Sequence, residues 1–325
     1  RPVSSAASDV YKRQALLREY QNQSNPDQSY TPSILSYSTA KTSKTIVDFE
    51  RGIIYMNAST PETLRDAIID VVLTQIDPSV IDAQTAIDFG LINEETNKPF
   101  FWGQVLDHKG KPISSRRPAL DFANFLLRKK TFSDGRFEVT IRMIDAHKKI
   151  AGAKYVSFVK AACLEYSVSS SLVMAIMETE SSFNPLARSR SNALGLMQVK
   201  ANTAGRDYFS LIKGYKHTPS SKFLYSPKNN IEVATGYLNI LSSRYLRGIE
   251  DPKKLEYAMI SSYNGGAGNL WKSLDKSGNK TKALKRINQM STKQFYWFLT
   301  NRHIRQETRE YLKKVNDRKS KYTLI

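Results

Sequence analysis

The period of the hydrophobic pattern changes once along this chain, near His147, and that change limits the fold more than any other feature. Before it, apolar residues alternate or cluster in short runs. Ile46, Val47 and Phe49, then Ile53, Ile54, Tyr55 and Met56, flank Glu50-Arg51-Gly52 as the arms of a β-hairpin would. Thr60-Pro61-Glu62 opens a helix with a cap and a first-turn proline, and Leu64, Ala67, Ile68, Val71 and Val72 give it an apolar stripe. Leu120 to Lys130 reads as a second amphipathic helix, and Phe137, Val139, Ile141 and Met143 alternate as a strand. After His147 the spacing becomes helical, with candidate helices at 153–166, 169–182, 194–206, 229–246, 253–263, 280–288, 291–300 and 305–317 and a hairpin or loop between Gly214 and Tyr225. The pattern predicts an α+β chain: a small mixed α/β domain with helices on one side of a sheet over 44–149, then a mostly α-helical domain over 150–325.

The first 43 residues predict no packed structure. Arg1 to Gln14 holds neither an apolar signal core nor a lipid-attachment cysteine and reads as a non-native start, and 21–43 is rich in Ser, Asn, Gln, Thr and Pro like a linker. No run of eighteen apolar residues exists, so no transmembrane helix is expected. The net charge of +19 is uneven: residues 151–325 carry 29 Lys and Arg against 12 Asp and Glu, while residues 1–150 carry 20 against 18. A surplus in the helical half implies an anionic partner, whether nucleic acid, anionic lipid or an acidic polymer. Zinc-knuckle, RNA-recognition and Walker patterns are missing, which argues against nucleic acid. Cys163, the single cysteine, sits in a helical apolar run as a buried thiol would. His108, His147, His217 and His303 lack metal-ligand spacing, and Asp66, Asp70 and Asp77 read as a solvated helix face, so neither a metal nor another cofactor is expected.

One carboxyl stands out against this background. In the segment Ser169 to Ser182, Leu172, Val173, Ile176 and Met177 form a helical stripe, and Glu180 continues it four residues past Ile176. Glu178 lies about 200° round the helix and is expected to meet water. A carboxyl held against apolar neighbours loses hydration of its charged form, so its pKa rises and it can act as a general acid near neutral pH. The bland alternative is an edge glutamate that snorkels or pairs with a cation.

Sequence blocks around and after Glu180 decide between these. Ser181, Ser182, Phe183, Asn184 and Pro185 follow it, then Gly195, Leu196, Met197 and Gln198, then Ser262, Tyr263, Asn264, Gly265 and Gly266, then Glu307, Thr308, Arg309, Glu310 and Tyr311. In order and type these blocks resemble the soluble-type lytic transglycosylases, which cleave the glycan strands of bacterial peptidoglycan on a goose-lysozyme-like fold. The resemblance implies that Glu180 is the catalytic acid and base. It implies that Ser181 bonds the substrate N-acetyl group or orients Glu180, and that Tyr263 lines the cleft while Asn264 bonds backbone or sugar. Tyr311 would hold the Glu180 carboxyl. Gly195 could admit substrate closely, Met197 could form an apolar floor and Gln198 could bond sugar hydroxyls. On local pattern alone, Gly195 to Gln198 would equally pass for a helix start, Ser181 for a hydroxyl bonded to the preceding turn, and Tyr311 for a core tyrosine.

Residues 44–147, including KTIVDFERGIIYMNAST and FFWGQVLDHKGKPI, are similar to the accessory domain of membrane-bound members of that family. That similarity implies a monomeric enzyme acting on peptidoglycan glycan strands from the periplasmic face of the outer membrane, through an N-terminal lipid anchor that this chain does not include. Two other readings remain open from the residues: a lysozyme-type hydrolase, and an inactive scaffold that binds peptidoglycan or nucleic acid.

Overall fold

The structure is a computed structural model and describes residues 31–39, 42–74 and 98–324. From Pro32 onward the described residues belong to one compact unit. It opens with five antiparallel strands, β1 (Ile34–Thr39), β2 (Ser43–Asp48), β3 (Ile53–Ala58), β4 (Thr131–Ser133) and β5 (Arg136–Arg142), in the order β1-β2-β3-β5-β4. The expected hairpin is β2–β3, in register Val47 to Ile54 and Thr45 to Met56. The two-residue side-chain period puts Ile54, Met56, Val139 and Ile141 on one face, where α1 (Pro61–Leu73) and α2 (Arg116–Leu127) cover them with Leu64, Ile68, Val72 and Phe122. Thr60 caps α1, its hydroxyl accepting from the Thr63 amide at 3.2 Å. On the other face Tyr55 donates to Glu138 across the β3–β5 pair at 2.6 Å. Asp66 and Asp70 are exposed on α1, whereas Asp77 lies outside the described residues.

Strand β1 falls inside the stretch expected to be a linker. Its Ser and Thr are compatible with an edge strand, and Leu35 packs on the sheet core, so a polar composition concealed a paired segment.

The helical half begins at His147 with α3 (His147–Ala153), α4 (Val156–Tyr166) and α5 (Ser170–Ser181), the last two close to the expected spans. The segment expected as a helix over 194–206 instead starts as a two-strand hairpin, β6 (Ala193–Leu194) and β7 (Val199–Lys200), and turns helical only over 201–213 with π-type turns at both ends. Gly195 and Gln198 adopt φ of +73° and +50°, and the Gln198 amide donates to the Gly195 carbonyl at 3.1 Å, which closes a tight turn that helical pattern-reading cannot detect. Beyond it come α7 (Ser221–Tyr225), α8 (Pro227–Ile240, running on to Tyr245), α9 (Pro252–Gly265), α10 (Ala267–Leu274), α11 (Lys280–Gln289), α12 (Thr292–Arg302) and α13 (Gln306–Lys319), the label α6 denoting 201–213. Helices α7 and α10 were not expected: α7 is barely a turn long, and α10 hides behind the Gly265-Gly266 pair that ends α9.

Helix α5 is buried along its whole middle, from Leu172 to Glu178. That burial overturns the expectation for Glu178, whose side chain is only 1% exposed. Met174 and Ala175 complete an apolar coat, so the helix has no face free for water, and Glu178 is accommodated by pairing. Its Oε1 lies 3.2 Å from Lys148 Nζ, 3.0 Å from Lys321 Nζ and 3.6 Å from Arg318 Nε, and its Oε2 accepts from Tyr322 at 2.7 Å. Burial opposes ionisation, but the Tyr322 and Lys321 bonds and the Arg318 and Lys148 charges together hold the carboxyl below its ordinary range. A depressed pKa contributes stability that is complete above the unfolded value of about 4.5 and is lost as pH falls through the folded value.

Glu178→Gln is therefore expected to destabilise the fold by about 3 kcal/mol at neutral pH, toward the low end for removing one partner of a buried pair because the cations keep some water. The deficit should shrink on acidification. Urea unfolding at pH 7 and pH 4 checks both.

Candidate active site

Glu180 sits in the last turn of α5, one residue before the helix ends. Ser182 and Phe183 then take left-handed φ values of +51° and +66°, which turns the chain sharply and leaves Glu180 pointing toward α9 and α13 rather than into a continued helix. Tyr311 on α13 donates to Glu180 Oε1 at 2.7 Å. The carboxyl is only partly open to solvent, and desolvation pushes its pKa up to about 7. The Tyr311 bond and the Lys200 charge pull it down, while the Glu307 carboxylate pushes it up. Desolvation wins, as expected where the nearest surroundings are tyrosine rings and buried apolar side chains.

Two tyrosines frame the acid. Tyr263 on α9 donates to the Met197 carbonyl at 2.7 Å, and burial and then the Glu180 charge raise its pKa far above the ordinary value. Tyr311 is raised for the same two reasons in the same order, so both phenols stay protonated as donors. Tyr237 on α8 lies 6.0 Å from the Tyr263 ring and extends the aromatic wall.

Beside this wall stands the β6–β7 turn. Ser181 is buried and donates to the Leu196 carbonyl at 2.8 Å, tying α5 to the turn. The Met197 side chain is fully buried, so its backbone carbonyl and not its thioether meets the site. Gln198 donates to the Gly195 carbonyl at 3.0 Å, while its Oε1 is buried without a hydrogen-bond partner among the described residues. A Cβ on Gly195 would stand 2.4 Å from Asn230 Nδ2 and 2.7 Å from the Leu224 carbonyl. The glycine thus serves close packing of the turn on α8. Asn264 donates to Glu307 at 3.2 Å and accepts from Thr308 at 2.7 Å, joining α9 to α13.

The structure brings Glu180, Tyr263, Tyr311 and the Gly195–Gln198 turn together, with Asn264 in the supporting layer. Two contributors carried no sequence assignment. Asn230, fully buried on α8, donates to the Leu194 and Leu224 carbonyls at 2.8 and 2.7 Å and accepts from the Met197 amide at 2.8 Å, so one side chain fixes the turn. A polar residue in register with Val233 and Ala234 on an apolar stripe was the available signal. Glu307, paired with Arg305 at 3.0 Å and exposed, acts on Glu180 through its charge. Among the described residues no group of His, Cys, Asp and Glu could hold a metal ion.

Tyr311→Phe removes a bond that lowers the Glu180 pKa, so that pKa should rise. If Glu180 acts as an acid, the alkaline limb of the rate should move to higher pH while kcat falls about tenfold from loss of the fixed rotamer. A pH–rate profile of the variant beside the parent checks the sign.

The model of the transglycosylase SLT domain matches residues 157–285, and the model of the membrane-bound lytic murein transglycosylase C N-terminal domain matches residues 20–154. Membrane-bound lytic murein transglycosylase C of Edwardsiella ictaluri (strain 93-146) is 41% identical over 90% of this chain and 82% of its own length. The protein of the same name from Salmonella typhi is 41% identical over 89% of this chain and 81% of its own. Among solved structures, the 70 kDa soluble lytic transglycosylase from Escherichia coli is 24% identical, covers 51% of this chain and 23% of its own, and superposes with a TM-score of 0.39. At 41% identity over about nine tenths of the chain, and with both domain models matched in order, the chain belongs to the membrane-bound lytic murein transglycosylase C family.

Proposed function

We propose that this protein cleaves the β-1,4 bond between N-acetylmuramic acid and N-acetylglucosamine in peptidoglycan, leaving a 1,6-anhydromuramic acid end, with Glu180 as acid and then base. The observation that carries the reading is a single desolvated carboxyl with a pKa of about 7, held by Tyr311. At neutral pH such a group is protonated in a large fraction of molecules and can also accept a proton back, which a two-step exchange requires. Tyr311 donates to one carboxyl oxygen and leaves the other to carry the transferable proton.

In the first step Glu180 gives that proton to the departing glucosamine oxygen as the muramic acid N-acetyl oxygen bonds to the anomeric carbon. In the second the Glu180 carboxylate takes the proton of the muramic acid 6-hydroxyl, whose oxygen displaces the N-acetyl oxygen and closes the anhydro ring. Water is neither consumed nor added. Tyr263, tied to the Met197 carbonyl, and the Gly195–Gln198 turn support the reading as the wall beside Glu180 against which the sugar would lie. The basic helical half suits a polymer whose peptide stems carry carboxylates.

Hydrolysis is the second reading, and Glu307 favours it, being a further carboxylate within electrostatic reach of Glu180. It is exposed and paired with Arg305, without the enclosure that a protein nucleophile needs. By family, the enzyme would work as a monomer at the periplasmic face of the outer membrane through a lipid anchor. Among the described residues no helix is long and apolar enough to cross a membrane.

Mass analysis of products from purified peptidoglycan tests the reading. Muropeptides ending in 1,6-anhydromuramic acid, resistant to borohydride, are expected, and Glu180→Gln should lower kcat by about a thousandfold or more while glycan binding persists. Reducible muramic acid ends as the main product would establish hydrolysis instead.

A further inference from the structure

The turn between β2 and β3 reaches the end of the helix that carries Glu180. Glu50 at this turn bonds no strand of its own sheet among the contacts described: one oxygen accepts from Ser182 Oγ, and the other pairs with Lys148 at 2.9 Å and Arg318 at 3.0 Å. Ser182 is the residue that caps α5, and its amide donates to the Glu178 carbonyl at 3.0 Å. Arg318 extends the connection, donating to that same carbonyl at 3.0 Å. A second clasp lies two residues on, where Asn184 donates to the Pro32 carbonyl at 2.8 Å at the approach to β1.

The turn itself is stiff. The Arg51 amide donates to Asp48 at 2.9 Å, the Met143 amide donates to the Gly52 carbonyl at 2.8 Å, and the His147 ring bridges the Phe49 and Ile144 carbonyls at 3.0 and 2.9 Å. Gly52 has φ of +66°, and a Cβ there would stand 2.8 Å from the His147 ring, so the turn is seated on the start of the helical half. Burial favours the neutral form of Glu50, but the bonds from Ser182 and Lys148 and the charges of Arg318 and Lys148 outweigh it and keep the carboxyl below its ordinary range.

A helix end leaves carbonyls without intrahelical donors and frays first. Here that last turn holds Glu180, whose carboxyl must stay in register with a phenol 2.7 Å away on another helix. We propose that Glu50 is a positioning residue for catalysis: the β2–β3 turn clamps the C-terminal turn of α5 through Ser182 and Arg318, and so fixes the aim of Glu180. The N-terminal sheet is then part of the catalytic apparatus and more than a spacer. The proposal rests on Glu180 being the acid, and it needs no particular fate for the glycosyl intermediate.

The test uses the full chain and steady-state cleavage of purified glycan strands, well below the melting temperatures of all variants. Glu50→Ala should lower kcat about tenfold or more, since small misplacement of a catalytic group is costly, while KM stays within about twofold. Glu50→Gln keeps an acceptor for Ser182 and should recover most of that loss. Tyr55→Phe, which breaks the Tyr55–Glu138 bond on the sheet, is the control for general weakening and should lower stability with kcat unchanged. If Glu50→Ala does not fold, Ser182→Ala carries the same expectation. A kcat within twofold of the parent in the clamp variants, a change confined to KM, or losses that track melting temperature equally in Tyr55→Phe would overturn the proposal. The ratios are read on whichever bond the parent cleaves, so failure of the transglycosylase reading would show in the parent's products and stay separate.

Discussion

A helix buried along its whole middle leaves its carboxyls little water, and α5 carries two. The site follows from how each is accommodated. Glu178 keeps its charge and gathers Lys148, Arg318, Lys321 and Tyr322 around it, which draws the start of the helical half and the C-terminal segment onto one point. Glu180, two residues later, meets no cation at bonding distance among the contacts described and receives only the Tyr311 phenol, so its neutral form is favoured up to about pH 7. The same constraint produces a structural ion pair from one residue and a candidate acid from the other.

The surrounding architecture holds that contrast in place. The β6–β7 turn is fixed from three directions, by Ser181 on α5, Asn230 on α8 and Tyr263 on α9, each through a backbone carbonyl or amide of the turn. Backbone groups held in this way fix the turn without depending on the rotamers of its own side chains. On the opposite side Asn264, Thr308 and Glu307 join α9 to α13 and so set the distance between the two phenols.

Much of this was legible in the sequence, and the failures have physical causes. Glu180 stands out in the sequence by its place on the stripe and by the four ordered blocks, and the structure gives it a desolvated carboxyl bonded by Tyr311. Glu178 was misjudged because two-residue spacing implies opposite faces but does not imply that the opposite face is wet; Met174 and Ala175 were the sign that α5 is apolar all round. The turn at Gly195 passes for a helix start in the sequence because its identity depends on two positive φ values, and on an asparagine more than thirty residues away. Strand β1 was hidden because an edge strand gains its order from pairing with β2 rather than from apolar side chains. Long-range hydrogen bonds, from Asn230 to the turn and from Glu50 to Ser182, leave almost no local trace in composition or period.

Burial favours Glu180, and not Glu178 beside it, as the group that exchanges a proton near neutrality. Carbon-13 NMR titration of glutamate side-chain carboxyls, with Glu180→Gln used to assign the resonance, measures this without substrate. A midpoint near pH 7 is expected for Glu180, with the midpoints of Glu178 and Glu50 displaced below the ordinary value. A Glu180 midpoint at the ordinary value of about 4.5 would contradict it.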